Sequence, residues 1–159
     1  MRDILLILEQ DAKASAERIA DLTGRTKDEV EQIIAELEGS GVIRRYKAVI
    51  DWERFGEEKV FAFIDVSVTP QRGAGYDDIA RRIYHHPEVH SLHLVSGGHD
   101  LRVVVEGSGI KQVSQFVSEK LAPLEHVTAT NTHFLLKKYK DDDEIFSDFD
   151  TDTRLVVSP

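Results

Sequence analysis

Residues Val89 to Glu106, with the sequence VHSLHLVSGGHDLRVVVE, decide the fold of this chain. Two apolar runs, Val89–Ser96 and Leu101–Glu106, flank the glycine-rich turn Gly97–Asp100. Short runs of β-forming residues joined by such a turn are typical of a β-hairpin. The segment therefore predicts two antiparallel strands in the middle of the second half of the chain.

The hairpin is flanked on each side by one strand pattern and one helix pattern, in mirror order. Val60–Val68 alternates as a strand does, and apolar residues at helical spacing follow it up to Pro87. A second amphipathic helix ends at Pro123, and Val127–Tyr139 has the composition of a last strand. Residues 59–140 thus predict the order βαββαβ, the ferredoxin-like arrangement, with both helices on one face of a four-stranded antiparallel sheet.

The other face of this sheet has no cover from its own chain in that topology. Phe61 and Phe63 lie on the uncovered face, together with Asp65 and Ser67. An exposed apolar patch usually marks an interface, and a self-complementary sheet surface favours two-fold association. We therefore predict a homodimer with Phe61 and Phe63 in its interface.

The first fifty residues predict three helices and a wing. Ser15 is a candidate N-cap for the second helix, and Thr26 with Glu29 makes a capping box for the third. Three helices with a tight turn before the last are typical of a helix-turn-helix, and residues 42–51 have the composition of a strand or half of a wing. The predicted fold class is α+β. Its predicted divisions are a winged helix-turn-helix domain at 1–50, a linker at 51–58, a βαββαβ domain at 59–140 and an acidic tail at 141–159.

The composition favours a cytoplasmic globular protein. The chain has 159 residues, of which 41% are apolar and none is cysteine, so disulfides and thiolate metal sites are excluded. It contains neither a signal peptide pattern nor an apolar run that would span a membrane. The net charge of −9 disfavours polyanions as partners, but seven of the acidic residues lie between Asp141 and Asp152. We expect a protein that does not associate with membranes and whose folded part is close to neutral.

Four short motifs give the chain a family resemblance. They are Ile19–Gly24 (IADLTG), Leu37–Ile43 (LEGSGVI), Gly97–Asp100 (GGHD) and Thr130–Lys140 (TNTHFLLKKYK). In their order and spacing, residues 3–140 resemble the Lrp/AsnC, or feast/famine, transcriptional regulators. The resemblance implies a winged helix-turn-helix that binds double-stranded DNA and a RAM-type βαββαβ domain that binds a small effector, often an amino acid. It also implies regulation of amino-acid metabolism by homodimers that associate into octamers.

The predicted recognition helix differs from the family pattern in its charge. From Thr26 to Glu38 it carries one cation and five carboxylates, a net charge of −4. Carboxylates repel the phosphates that supply most of the affinity for DNA. We therefore assign the phosphate contacts to the start of this helix and to the wing, with Gln32 as a reader of adenine. The predicted DNA-binding residues are Arg25, Thr26, Lys27, Gln32, Arg44, Arg45 and Lys47.

A candidate effector site follows from the Gly-Gly-His-Asp turn. Glycines let a backbone approach a ligand closely, the Asp100 carboxylate suits an ammonium group, and the turn amides suit a carboxylate. By resemblance, this loop lies at a contact between dimers, where effector binding can bias assembly. The predicted effector-binding residues are Gly97, Gly98, His99, Asp100, Thr130 and Thr132.

The sequence predicts no catalytic residue, no metal site and no cofactor. His90 and His93 are three positions apart on a strand and are expected on opposite faces, so they do not form a natural metal-binding pair. His85 and His86 are adjacent at a helix end and do not form one either. His99 and His133 are candidates to tune the loop or an interface with pH.

Two other functions stay open on the sequence. In the first, the chain is an effector-sensing module whose degenerate helix-turn-helix does not bind DNA and which acts through a protein partner. In the second, it is a tetrapyrrole-modifying enzyme, because sirohaem decarboxylases are similar to this family in fold. That activity would need arginines to converge around substrate carboxylates, with Arg72, Arg81, Arg82 and Arg102 as the candidates. The acidic tail has the composition of disorder, and its end, Leu155–Val157, is a candidate docking strand.

Overall fold

The computed structural model of this chain describes residues 1–69 and 75–147. Its contacts divide the chain into two compact units, of which the first is Met1–Ile50 and the second begins at Asp51. Each unit has a hydrophobic core of its own. None of the helices in these two ranges has the length and hydropathy needed to cross a bilayer.

The first unit is built from three helices, α1 (Arg2–Gln10), α2 (Ala16–Thr23) and α3 (Lys27–Gly39). The Ser15 hydroxyl accepts a hydrogen bond from the Arg18 N–H at 3.2 Å and so caps α2, as predicted. Gly24 ends α2 in the left-handed conformation, at φ 68°, which glycine adopts without steric cost. The buried core contains Ile4, Leu8, Ile19, Ala20 and Val30. The predicted helix-turn-helix is therefore confirmed.

The predicted strand over residues 42–51 is not formed. These residues are largely exposed, and no strand of the described ranges pairs with them. Residues of high β-propensity form a strand only where a second backbone supplies hydrogen bonds, which is why composition alone predicted too much here. The predicted linker is also more ordered than expected, because it contains the one-turn helix α4 (Trp52–Phe55), which Asp51 caps and Gly56 ends.

The second unit is a four-stranded antiparallel sheet. Its strands are β1 (Val60–Val68), β2 (Val89–Leu94), β3 (Leu101–Gly107) and β4 (Val127–Phe134), in the spatial order β2-β3-β1-β4. Helix α5 (Asp77–Tyr84) connects β1 to β2, and α6 (Ile110–Phe116) continues as a π-helical turn, Val117–Leu121, before β4. This is the predicted ferredoxin-like order, with the predicted hairpin β2-β3 next to β1.

One face of the sheet is buried under both helices. From Ala62 to Val68 and from Leu101 to Val105, alternate residues of β1 and β3 are at most 7% exposed, and the side chains of α5 and α6 pack against them. This core includes Ala62, Ile64, Val66, Leu101, Val103 and Val105 from the sheet and Ile79, Ile83, Val113, Phe116 and Leu121 from the helical layer. The two-residue period of the sequence predicted this face correctly.

The end of the sheet differs from the prediction. Strand β4 ends at Phe134 rather than Tyr139. Its partner β1 begins at Val60, so the pairing of the two strands ends where the Leu135 N–H donates to the Phe61 carbonyl at 2.9 Å. The acidic tail was predicted to be disordered, but its first residues form a small hairpin of β5 (Lys140–Asp141) and β6 (Glu144–Ile145). The candidate docking strand at 155–157 lies outside the described residues.

Two aspartates explain that hairpin. Asp142 and Asp143, which connect β5 to β6, have positive φ values of 45° and 67°. Two-residue hairpin turns of this kind favour Asn, Asp and Gly, since these residues tolerate the left-handed region. The acidic composition that suggested disorder thus also contains a good turn sequence.

Candidate DNA-binding and effector sites

Both cations at the start of α3 are held by carboxylates of neighbouring elements. The Arg25 guanidinium lies 3.1 Å from the Asp3 carboxylate of α1. The Lys27 ammonium lies 2.5 Å from the Glu17 carboxylate of α2 and 3.6 Å from Glu31, one turn further along α3. The hydrogen bond between Lys27 and Glu17 raises the pKa of Lys27 and lowers the pKa of Glu17. A DNA phosphate at this helix end would therefore compete with a carboxylate for each cation.

Thr26 closes the start of α3. Its hydroxyl accepts a hydrogen bond from the Glu29 N–H at 3.3 Å, and the Glu29 carboxylate accepts one from the Thr26 N–H at 2.8 Å. The predicted capping box is therefore present, and its hydrogen bonds from Thr26 lower the pKa of Glu29. Thr26 was predicted as a DNA contact, and its hydroxyl is engaged here in fixing the helix end.

The remaining predicted DNA contacts are all exposed. The Gln32 amide nitrogen lies 3.4 Å from the Glu36 carboxylate, a long contact that leaves the amide accessible. Arg44, Arg45 and Lys47 follow α3 in the segment without a strand. Within that segment the Tyr46 hydroxyl donates to the Glu38 carboxylate at 2.9 Å, which holds the segment beside the end of α3.

Asp100 organises the Gly-Gly-His-Asp turn. Its N–H donates to the Val66 carbonyl at 3.1 Å, and its two carboxylate oxygens accept from the Val68 N–H at 2.9 Å and from the Tyr76 hydroxyl at 3.1 Å. Strand β3 begins at Leu101, so the Val68 N–H lies beyond the end of that strand. The Asp100 carboxylate accepts its hydrogen bond in place of a strand carbonyl. The hydrogen bond to Asp100 raises the pKa of Tyr76.

Tyr76 is the residue of this turn that the sequence did not reveal. Its spacing from Ile79 and Ile83 is typical of the apolar face of the following helix, and nothing in its neighbourhood along the chain connects it with Asp100. Gly97 has a φ of 139°, which side chains rarely allow, and a Cβ added to Gly97 or Gly98 would meet open space. Gly97 therefore serves the shape of the turn, and no close contact within the described residues requires either glycine.

His99 turns away from Asp100 toward the uncovered face of the sheet. Its Nε2 lies 2.9 Å from an oxygen of Asp65, and the Arg102 guanidinium donates to both oxygens of the same carboxylate at 2.9 and 3.2 Å. The Nε2 of His133 approaches this carboxylate at 3.5 Å. The hydrogen bonds from Arg102 hold the pKa of Asp65 below its ordinary range.

The predicted effector residues do not all lie together. Thr132 and Thr130 pair with Ile64 and Val66, so both threonines lie on the face that the helices cover. Strand β1 separates them from the turn, and His99 lies on the opposite face. The structure therefore unites His99 and Asp100 in one turn but places the threonines apart from it.

The uncovered sheet face contains Phe61 and Phe63, as predicted. The Phe63 side chain is 36% exposed, whereas Phe61 is partly covered by the ring of His90 at 5.8 Å and by the Lys138 ammonium at 5.3 Å. The same ammonium lies 4.9 Å from the ring of Phe146, so the tail hairpin borders one end of the face. The region around Phe63 stays open to solvent.

A bulge in β2 corrects the prediction for two histidines. The register between β2 and β3 shifts between Val89 and Ser91, so that His90 reaches the ring of Phe61 while His93 pairs with Arg102. Both histidines therefore lie on the uncovered face, although their spacing predicted opposite faces. A bulge adds one unpaired residue and reverses the alternation after it, which the sequence does not show.

The arginines that a tetrapyrrole-modifying enzyme would need do not converge. Arg81 and Arg82 belong to α5, in the layer that covers one face of the sheet, whereas Arg102 lies on the other face. Arg72 lies outside the described residues. The described part of the chain thus gives no support to that alternative.

Comparison with known proteins identifies the family. A family model described as the Lrp/AsnC ligand binding domain matches residues 61–145. The HTH-type transcriptional regulator YugG of Bacillus subtilis is 49% identical over 158 residues, which cover 99% of this chain and 95% of that protein. This chain belongs to the Lrp/AsnC family. It is an HTH-type transcriptional regulator, as the resemblance predicted. The family model lies within the second unit, and the match to YugG extends over both units.

Solved structures of regulatory proteins share its fold. A feast or famine regulatory protein of Mycobacterium tuberculosis, complexed with L-methionine, has a TM-score of 0.73 at 23% identity and covers 90% of this chain and 94% of its own. A transcriptional regulator of Neisseria meningitidis, also in complex with L-methionine, has a TM-score of 0.71 at 24% identity, with 87% and 89% covered. The predicted combination of a helix-turn-helix with a ferredoxin-like domain is confirmed.

Proposed function

We propose that this Lrp/AsnC regulator binds double-stranded DNA through its first unit and a free amino acid through its second, and that it acts as a homodimer. The observation that carries the proposal is a capped helix-turn-helix followed by three exposed cations, in a chain that is 49% identical to an HTH-type regulator along its length. Binding of the amino acid then modulates assembly or DNA binding, as the resemblance to Lrp/AsnC regulators implies.

The DNA contact is centred on the segment after α3. Arg44, Arg45 and Lys47 bring positive charge to the phosphates, while Gln32 offers an amide that can read adenine. At the start of α3, a phosphate would have to displace the carboxylates that Arg25 and Lys27 already bind. We expect a modest affinity with a strong dependence on salt.

The effector site is centred on Asp100. A carboxylate offers about four lone-pair positions, and two hydrogen bonds to Asp100 leave room for an ammonium group. The backbone of Gly97 and Gly98 is exposed and suits the carboxylate of the same ligand. Two structurally similar regulators were solved with L-methionine, which supports an amino acid as the ligand class.

The homodimer is supported by the uncovered sheet face around Phe63. An apolar centre of this kind, left open by the topology, needs a partner, and a second copy of the same face is the simplest one. Association of dimers into octamers, with the Gly-Gly-His-Asp turn at their contact, extends the same proposal.

Fluorescence anisotropy with labelled genomic fragments in low salt tests the DNA part. We expect saturable binding below about micromolar for at least one fragment, the range where ordinary non-specific binding begins. Adding each of the twenty amino acids should shift the curve for at least one of them. Amino-acid binding without DNA binding would instead support the effector-sensing alternative, which the net charge of α3 favours.

Calorimetry on wild type and Asp100→Asn tests the effector part. Asparagine keeps an oxygen that can accept from the Val68 N–H but removes the negative charge that an ammonium group requires. The effector should bind at least about tenfold more weakly to this variant, because a charge-assisted hydrogen bond is lost. Asp78→Asn, which removes an exposed carboxylate from α5, is the matched control. Equal affinity in wild type and Asp100→Asn would exclude Asp100 from the site.

A further inference from the structure

The charged side chains of the uncovered sheet face neutralise one another. Asp65 is paired with Arg102, and Lys59 lies 2.6 Å from the Glu106 carboxylate at the other end of the face. At the border, Lys138 lies 2.7 Å from Asp141. Within the described residues, the face around Phe63 therefore has no net charge as long as its histidines are neutral.

Four histidines lie on this one face. His90 and His93 come from β2, His133 from β4 and His99 from the turn before β3. Histidine is the side chain that ordinarily changes its charge between about pH 5 and pH 8. Four of the seven histidines of the chain are thus concentrated where the topology leaves the sheet open.

We propose that the uncovered sheet face is a self-association surface that protons switch off, because its histidines convert a neutral face into a cationic one in mild acid. The proposal rests on the homodimer of the proposed function and adds its regulation. In the dimer, two copies of the face are brought together. Protonation of the same histidine in both subunits then places like charges on the two sides of one interface.

The geometry around Asp65 explains why the added charge is not absorbed. Arg102 already binds both oxygens of the Asp65 carboxylate. The negative charge of Asp65 is therefore already balanced and does not compensate a positive charge added to His99 or His133. The same hydrogen bonds keep the pKa of Asp65 low, so the carboxylate remains ionised in mild acid and contributes no change of its own. Lys59 neutralises Glu106 in the same way.

Water solvates the protonated imidazoles only while the sheet face is exposed. The side chain of His133 is 54% exposed and that of Arg102 is 44% exposed in the single chain. Association removes this water, and a cation without an opposite charge is costly to desolvate. Like charges placed opposite each other in an interface add repulsion. Both effects favour dissociation of the protonated dimer.

Analytical ultracentrifugation of the full chain at about pH 8 and about pH 5.5, at one ionic strength, tests the proposal. We expect a dimer at the higher pH and a dissociation constant at least about tenfold larger at the lower pH. Replacing all four histidines of the face with glutamine (His90→Gln/His93→Gln/His99→Gln/His133→Gln) should reduce this change to less than about threefold, because glutamine keeps hydrogen-bonding capacity but does not take up a proton. His85→Gln, at the end of α5, should behave as wild type. Far-UV circular dichroism at both pH values checks that each variant stays folded.

Three results would overturn the proposal, and they differ in what else they affect. A dimer of equal strength at both pH values removes the proton switch and leaves the proposed homodimer standing. A pH effect of the same size in the quadruple glutamine variant assigns the switch to groups other than the histidines of this face. A monomer at both pH values removes the switch and the proposed homodimer together.

Discussion

Lys27 shows how a single ion pair can limit a DNA-binding surface. Its ammonium is shared between Glu17 and Glu31, so removing the nearer carboxylate should release it toward a phosphate. We expect Glu17→Gln to bind DNA more tightly and to steepen the slope of log K against log salt by up to about 0.9, the value for one additional phosphate contact. Anisotropy titrations over a salt series give both quantities.

Glu9→Gln is the control for this prediction, because it removes an exposed carboxylate of α1 for which the structure gives no contact with Arg25 or Lys27. It changes the net charge by the same amount and should leave the slope unchanged. Equal slopes in all three proteins would mean that Lys27 does not reach DNA even when released.

Asp100 has a structural role that can be measured without any ligand. Asp100→Ala leaves the Val68 N–H without its acceptor and should lower the free energy of unfolding by about 1–3 kcal/mol. Tyr76→Phe removes only the hydroxyl that donates to Asp100 and should cost less than Asp100→Ala, because the Val68 N–H keeps its acceptor. Urea denaturation checks both. A smaller loss for Asp100→Ala than for Tyr76→Phe would contradict this account of the turn.

The π-helical turn after α6 is the element that places Lys120. The Ala122 N–H donates to the Val117 carbonyl five residues earlier, at 2.8 Å, and in this turn the Lys120 ammonium lies 2.5 Å from the Glu88 carboxylate. The other oxygen of Glu88 is buried without a hydrogen bond. We expect Lys120→Ala to cost about 1–2 kcal/mol at neutral pH, less than for a fully buried pair because Lys120 is 40% exposed.

This loss should depend on pH in one direction. The hydrogen bond from Lys120 lowers the pKa of Glu88, so the pair stabilises the fold above the ordinary value for Glu, about 4.3, and loses this effect as the pH falls through the lower folded value. Urea denaturation of wild type and Lys120→Ala should therefore converge below about pH 4. Lys111→Ala, an exposed change on α6, should match wild type throughout.

The same element shows what the sequence could and could not predict. A regular period of 3.6 before Pro123 predicts one apolar face made of Ile110, Val113, Val117 and Leu121, but Ile110 is 59% exposed and Phe116 is buried instead. The spacing of five between Phe116 and Leu121 fits a π turn, which a regular helical period cannot anticipate. Helix caps, the strand alternation and the order of elements were predictable because local chemistry fixes them.

The candidate sites were less predictable, since they depend on register. The sequence located the turn around Asp100 but not its contact with Tyr76, and it placed His90 and His93 on opposite faces because the bulge was hidden. It also could not show that Arg25 and Lys27 are paired with acids from α1 and α2. These contacts join residues that are distant along the chain or that a single shift of register rearranges.

For the whole molecule, Phe63 is the most direct test of how two copies meet. A carboxylate in the middle of the uncovered face would be buried without a partner in the dimer, so Phe63→Glu should be monomeric at concentrations where wild type is dimeric. Light scattering at micromolar concentration and about pH 8 measures this. Tyr84→Glu, a change of the same kind on the exposed side of α5, should remain dimeric. A dimeric Phe63→Glu would place the interface elsewhere.

The short helix α4 has a spectroscopic consequence. It carries Trp52, the one tryptophan of the sequence, and the Lys59 ammonium lies 4.1 Å from the centre of its indole ring. A cation so close to an indole alters its emission, and this indole stands where the first unit gives way to the second. The chain therefore contains an optical probe at the start of its second unit, and a change of its emission intensity on adding DNA or an amino acid would report ligand binding without any label.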